Sequence, residues 1–324
     1  MRSLHLQKVL GAGSFGTVYL AELAGARGFS RQVAVKVLLN NHPDGALFLS
    51  RVRDEARLLG LLQDEHILKV LELTQVSGRD AVVMEYVEGV DLDQLVAAQQ
   101  QPPARALAEI GVAVAGALQK AHTATHPSTG KPLAVIHRDV KPANIMVTVR
   151  GGVKLLDFGV ASARFDARES KTGQFLLGTL NYIAPEYIIT AEVSPKADVY
   201  GLGLTLWEAI CGTVYGQPRI KQDQHEKRLR ERLAEVPASH QALVPILQKM
   251  LAWNPLERPD AAAVERMLLA AADNLTGMSL RSWAGAAVPK VMSGRPPTQD
   301  AIGLSGKTIP IADESADSTV SLPS

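Results

Sequence analysis

The first third of the chain is patterned as strands. LHLQKVL, from Leu4, alternates apolar and polar residues, and TVYLAEL and RQVAVKVLL carry β-branched residues between glycine and polar breaks. LFLSRVRDEARLLGLL differs: Phe48, Val52, Ala56, Leu59 and Leu62 recur at helical spacing. ILKVLELTQ and DAVVMEYV then predict a strand pair around the turn VSGRD. From Leu92 the period becomes helical. LDQLVAA, ARALAEIGVAVAGALQKAH, DVYGLGLTLWEAIC, HQALVPILQKMLA and DAAAVERMLLAAADNL predict helices by length and spacing. A small sheet with one main helix therefore precedes a larger helical part. The changeover falls near Glu85–Asp91, where Gly89 offers a flexible point. Residues 276–324 are dominated by Ser, Thr, Pro, Gly and Asp, with Trp283 as the only aromatic, and are expected to be a mostly disordered tail.

Composition narrows this picture. The chain has 324 residues, 46% hydrophobic and 21% charged, which is enough to bury a large core. A formal net charge of +1 gives no electrostatic case for nucleic acid or an acidic membrane surface. The single cysteine, Cys211, reads as a buried small hydrophobe and fits a reducing compartment. No secretory pattern opens the chain, and no apolar run reaches a membrane span. A cytoplasmic location is expected.

The chemistry lies in segments that break the apolar pattern. LGAGSFGTVYL contains Gly11, Gly13 and Gly16 as G-x-G-x-x-G, which lets backbone amides approach phosphates. Alone, this is compatible with a dinucleotide fingerprint, a kinase loop or a plain hairpin. A strand follows the third glycine, and the residue twenty positions on is Lys36 rather than an acid, which favours a hairpin over phosphates. Lys36 ends VAVK on a strand, and Glu55 sits on the next helix, between Val52 and Leu59 on its inward side. Read alone, Lys36 points into a cleft or into solvent, and a solvent-facing helix position is the lesser alternative for Glu55. VIHRDVKPANIMV brings five polar residues between apolar flanks, and buried charges are costly unless paired or used. VKLLDFGVA follows, with Asp157, Phe158 and Gly159.

The ordered set, from the glycine loop through Lys36, Glu55, H-R-D-x-K-x-x-N and D-F-G to APE at Ala184–Glu186, DVYGLG from Asp198 and NPLERP at Asn254–Pro259, resembles the eukaryotic-type serine/threonine protein kinases. The resemblance covers about Leu4 to Leu275. It implies an α+β bilobal protein kinase fold, with a β-rich N-lobe over 1–87, an α-helical C-lobe over 88–275 and the tail over 276–324. It also implies ATP and magnesium. Asp139 would accept or orient the proton of a Ser or Thr hydroxyl, and Lys141 would neutralise the γ-phosphate. Lys36, held by Glu55, would grip the α- and β-phosphates. Asn144 and Asp157 would hold the metal. Leu10, Gly11, Gly13, Gly16, Val18, Ala34 and Met146 would enclose the nucleotide, Glu85 and Val87 would bond it through the backbone, and Met84 would close the back of the pocket. His137, Phe158, Leu59 and Leu71 match a stacked apolar column. Asp198 would receive backbone amides of the catalytic loop, and Glu186 and Arg258 match a buried ion pair.

Regulation and partners follow as expectations. Arg138 would meet a phosphate on Ser170 or Thr172, while Thr179 would contact Asp139 and Lys141. Lys141 and GTLNYIAPE favour Ser and Thr over Tyr as acceptors on protein substrates. The insertion HTATHPSTGKPLAVIHRD is similar to those of bacterial members, and its His122 and His126 lack a third ligand for a metal. Lys227, Arg228, Arg230 and Arg232, interleaved with glutamates, read as a solvated face. KTIPI and STVSL place an aliphatic residue three after Thr308 and Thr319, resembling ligands of a phosphothreonine-reading partner; a plain spacer is the other reading. A pseudokinase scaffold would have lost Lys36, Asp139, Asn144 or Asp157. A small-molecule phosphotransferase would lack APE and the full activation loop. Neither loss is found.

Overall fold

The computed structural model describes residues 2–13, 16–25, 28–39, 53, 56–133, 135–158, 179–190, 193–296 and 298–311. The chain divides into two units. One holds residues 1–56, 69–86 and 296–324, and the other holds 57–68 and 87–295.

The first unit is built on a six-stranded sheet. Strands β1 (Arg2–Gly13), β2 (Gly16–Ala24), β3 (Ser30–Leu38), β4 (Val70–Val76) and β5 (Arg79–Glu85) stand in the order β4-β5-β3-β2-β1, and a late strand, β9 (Thr308–Ile311), pairs with β1 at the edge. The β4–β5 turn holds Ser77 at φ 51° and Gly78 at φ 73°, the positive pair that a two-residue hairpin needs. Side chains alternate across the sheet, so the register Val9, Tyr19, Val35, Val83 marks one face and Val18, Lys36, Val82 the other. The first of these faces is the core. It contains Leu4, Leu6, Tyr19, Ala21, Val33, Val35, Val37 and Val83, and it also receives Leu304 and Ile311 from the far end of the chain.

The second unit is mainly helical. After the short strand β6 (Gly89–Asp91) come α1 (Leu92–Ala97) and α2 (Ala104–His122). Strands β7 (Ile145–Thr148) and β8 (Val153–Leu155) complete a three-stranded sheet with β6. Then follow α3 (Pro185–Thr190), α4 (Pro195–Cys211), α5 (Gln222–Ala234), α6 (Val244–Met250), α7 (Ala261–Asn274) and α8 (Leu280–Ser293). Ser194 caps α4, Pro195 opens it, and Gly212 ends it at φ 70°. Residues 198–210 of α4 are all buried, as expected of a helix apolar all round. The segment HQALVPILQKMLA is not one helix. Ala238–Leu243 form a 3-10 turn, and α6 begins at Val244 with Pro245 in its first turn, where the missing N–H costs nothing.

Within 276–324, Leu280–Ser293 and Thr308–Ile311 differ from the expected disorder. Leu280, Trp283, Ala284, Ala287 and Val288 fall at helical spacing and form the buried face of α8, which packs against α2, α1, β6 and β7. The average composition of the tail hid this stripe, because three of its members are small or solitary. Ser279 caps the helix, accepting from the Ser282 amide at 3.3 Å. Arg295, just beyond α8, donates to the Gly89 carbonyl at 3.1 Å and to Gln94 Oε1. The chain then enters the first unit and ends its described part as β9, which carries Pro310 opposite Ser3. Residues 312–324, with Thr319 and Leu322, lie outside the described residues.

Candidate active site

In the first unit, β1 and β2 form the hairpin that carries the three glycines, with Gly13 paired to Gly16. Gly11 and Gly13 have open space where a Cβ would stand, whereas a Cβ on Gly16 would lie 2.2 Å from the Val37 carbonyl oxygen. Two glycines thus leave the end of β1 without side chains, and the third lets β2 lie close on β3. Lys36 pairs between Val18 on β2 and Val82 on β5, so all three share a face; Ala34 and Met84 are likewise paired. Met84 is buried beside them. At the end of β5 the Glu85 amide donates to the Lys69 carbonyl at 3.0 Å, and the Lys69 amide donates to Glu85 Oε1 at 2.8 Å. Leu71 packs against this unit's core. Glu55 lies outside the described residues, so its pairing with Lys36 stays an expectation.

In the second unit the polar stretch 137–144 is held by its surroundings. Asp198, buried on the first turn of α4, accepts the amides of His137 at 2.8 Å and Arg138 at 2.7 Å. Arg138 has φ 66°, an uncommon conformation for a non-glycine residue, and the fixed carboxylate stabilises it. His122, at the end of α2, donates from Nε2 to the same carboxylate at 2.8 Å. Sequence reading missed this role. It weighed His122 only against His126, while the true partner stands 76 residues away. His126 accepts from the Ser128 amide instead.

The His137 ring is fully buried, and burial holds its pKa below the ordinary value, so the imidazole is neutral. One nitrogen faces the Leu156 carbonyl at 2.8 Å and must donate; the other then accepts the Asp139 amide at 3.2 Å. A single tautomer therefore ties the segment before Asp157 to the amide of Asp139. Phe158 stacks on this ring at 4.5 Å, and Leu59 packs against the same core. Asp157 itself has φ 49°.

Asp139 is buried, and its two oxygens differ. Oδ2 accepts from Lys141 Nζ at 2.7 Å and Asn144 Nδ2 at 3.0 Å. Oδ1 has no hydrogen-bond partner among the described residues. Asn144 Nδ2 also donates to the Asp139 carbonyl at 2.7 Å, which engages the amide nitrogen and leaves the side-chain oxygen as its remaining donor to a cation. The Leu156 amide donates to the Asn144 carbonyl at 2.8 Å, so Asn144 and Asp157 are held one residue apart in the network. A buried carboxylate oxygen with no partner, a cationic neighbour and oxygen ligands on Asn144 and Asp157 fit a hydroxyl substrate and a hard cation. Val87 and Met146 also belong to this unit, Met146 in register with Asp91 and Lys154.

Below the site, Glu186 and Arg258 form a two-pronged pair at 2.7 and 2.8 Å. Arg258 also donates to the carbonyls of Ala252, Lys196 and Trp253, so all five of its N–H groups are satisfied although it is buried. Tyr182 donates to Glu208 Oε2 at 2.5 Å, and the Tyr215 amide donates to Oε1 at 2.7 Å. Burial holds the Glu208 pKa above the ordinary carboxylate value, with these two bonds opposing it. Nothing in the sequence patterns had singled out Glu208. Gly159, Ser170 and Thr172 fall outside the described residues, as does the side chain of Thr179.

The chain is similar to known proteins. A family model for the protein kinase domain matches residues 4–268. The chain is 35% identical over 212 residues to the tyrosine-protein kinase MasK of Myxococcus xanthus, covering 63% of this chain and 32% of that protein. It is 34% identical over 282 residues to the serine/threonine-protein kinase PknD of Mycobacterium tuberculosis, covering 84% and 39%. The chain thus spans about a third of the length of these curated relatives. Among solved structures, the PknI kinase domain of Mycobacterium tuberculosis superposes with a TM-score of 0.61 at 27% identity, covering 83% of this chain and 95% of that one. With its glycine hairpin, its strand lysine, a polar segment anchored on Asp198 and a family match over residues 4–268, the chain belongs to the protein kinase family.

Proposed function

We propose that this chain is a serine/threonine protein kinase that transfers the γ-phosphoryl group of ATP to protein hydroxyls. The observation that carries the reading is the divided carboxylate of Asp139, with one oxygen held by Lys141 and Asn144 and the other buried without a partner among the described residues. The partnerless oxygen orients the acceptor hydroxyl and receives its proton as the hydroxyl oxygen bonds to phosphorus and the bond to the ADP oxygen breaks. Lys141, 2.7 Å from the other oxygen, spreads positive charge toward the transferring group. Magnesium, when bound, offsets phosphate charge through the oxygens of Asn144 and Asp157. Lys36 supplies a cation on the same sheet face as Val18, and the bare glycines supply amides. With the Glu85 amide already committed to Lys69, the nucleotide contact at residue 85 falls to its carbonyl.

The test is magnesium-dependent labelling from ATP of the chain itself and of a general protein substrate. Wild type labels and Asp139→Asn does not; equal labelling of the two refutes the role of Asp139. Phosphoserine and phosphothreonine are the expected products, and phosphotyrosine alone would favour the acceptor class in the name of MasK. Arg138 is exposed beside Asp139, which supports a regulatory contact with a phosphate on Ser170 or Thr172. No helix of the described residues is long and apolar enough to cross a membrane, and a cytoplasmic place rests on the one cysteine. A phosphothreonine-reading partner would be met through Thr319, since the Thr308 backbone is paired with His5 and its hydroxyl stands 2.9 Å from His5 Nδ1.

A further inference from the structure

The glycine hairpin is backed by residues that lie far beyond the matched kinase region. Strand β9 pairs with Arg2–His5 of β1, and the ladder continues as the Leu6 amide donates to the Lys307 carbonyl at 2.9 Å and the Gly306 amide to the Leu6 carbonyl at 2.6 Å. Before β9, Asp300 organises a turn. Its Oδ1 accepts the amides of Ile302 at 3.2 Å and Gly303 at 2.8 Å, and its Oδ2 accepts the amide of Ser305 at 2.7 Å. Oδ1 also accepts the hydroxyl of Tyr19 at 2.6 Å. Tyr19 is fully buried on β2, one residue after Val18 and three after Gly16. Leu304 and Ile311 are buried in the same core, on the face opposite Val18 and Lys36.

We propose that the segment Asp300–Ile311 is a buttress for the phosphate-gripping hairpin, and that Asp300 is a positioning residue acting on nucleotide affinity through Tyr19. This rests on the reading of the hairpin as a nucleotide clamp. The physical reason is rigidity. A two-stranded ribbon ending in bare glycines is weakly ordered on its own. Its rear face is the only side on which packing does not compete with the ligand. A charge-assisted hydrogen bond there, together with two apolar anchors, fixes β2 next to the position that carries Val18. The chemistry of Asp300 agrees with a firm contact: its hydrogen bonds from Tyr19, Ser305 and Gly303 hold its carboxyl far below the usual range despite the opposing effect of burial. Linkage then requires reciprocity, so a nucleotide that tightens the hairpin must tighten the docking of the tail.

The test uses the full chain and Mg·ADP as the probe. Tyr19→Phe removes one hydroxyl and keeps the buried ring; Asp300→Ala removes the whole turn. Tyr19→Phe is expected to weaken Mg·ADP binding about fivefold, with kcat at saturating ATP within about twofold of wild type. Saturating Mg·ADP is expected to slow hydrogen exchange of the Gly303 and Ser305 amides in wild type and much less in Tyr19→Phe. Unchanged Mg·ADP affinity in Tyr19→Phe, alongside wild type that binds normally, overturns the buttress even if the melting temperature falls. If Asp300→Ala does not fold, Tyr19→Phe decides alone. Wild type that fails to bind Mg·ADP overturns the nucleotide reading and this inference with it.

Discussion

Buried histidines set how stability depends on pH. His225, on α5, donates to the Leu251 carbonyl at 2.8 Å and lies beside Tyr200. Burial holds its pKa below the usual 6.5, with Arg258 and Arg228 pushing the same way and the Leu251 carbonyl and Glu226 opposing. The unfolded chain therefore binds a proton that the folded one refuses. The stabilisation is complete above about pH 6.5 and is lost as pH falls from there toward the lower folded value. His137 acts with the same sign. Asp91, pushed up to about 6 chiefly by burial, acts oppositely: its stabilisation is present below the unfolded value and lost as pH rises through 6. Wild type should thus lose thermal stability on acidification from about pH 7 to 6, ahead of the window of Asp91. His225→Gln should flatten that slope; an unchanged slope would remove His225 from the account. At this scale the sequence pointed most directly to Asp139, Lys141, Asn144 and Asp157, because the chemistry proposed for them leaves few substitutes. His122 and Glu208 were unreadable, since each is defined by a partner far along the chain, at Asp198 and Tyr182.

Elements were legible where one period ran unbroken. The α2 stripe and the alternation of β1 to β5 could be read directly, and the positive-φ turn at Ser77 and Gly78 matched its Ser-Gly signal. Short stretches with mixed signals were not. Pro245 split one predicted helix, and α8 hid within a polar average. The hairpin offers a sharp test of close packing. At Gly16 a Cβ would meet backbone, the Val37 carbonyl, with no flexible side chain to move aside. Gly16→Ala should therefore cost about 1–3 kcal/mol of stability, measured by denaturant unfolding. Gly11→Ala, with nothing near its Cβ, should cost less in the same measurement. Equal losses at the two positions would show that chain entropy, and not the approach of β2 to β3, decides the effect.

At the level of the whole molecule, the chain passes between its two units after residues 56, 68, 86 and 295. The last passage was invisible in the sequence, because a four-residue strand carries little pattern and its partner, β1, lies about 300 residues earlier. A chain ended at Arg295 would keep α8 but lose Leu304 and Ile311 from the core of the first unit. Each is expected to contribute about 1.5–3 kcal/mol by burial. Urea unfolding should show that loss in the first unit, while a probe in the second, such as Trp207 fluorescence, stays near its full-length midpoint. Coincident shifts at both probes would mean that the two units unfold together.

Strand β9 also decides what the sheet offers to other molecules. With four residues and a proline, it is a poor template for a further strand. Without it, the outermost strand would be β1, twelve residues long, with its edge amides and carbonyls unclaimed. A fragment ended at Arg295, which keeps α8 and lacks β9, exposes that edge. Its difficulty in concentrated solution would be self-association through strand addition, a failure of solubility with the catalytic segment itself intact.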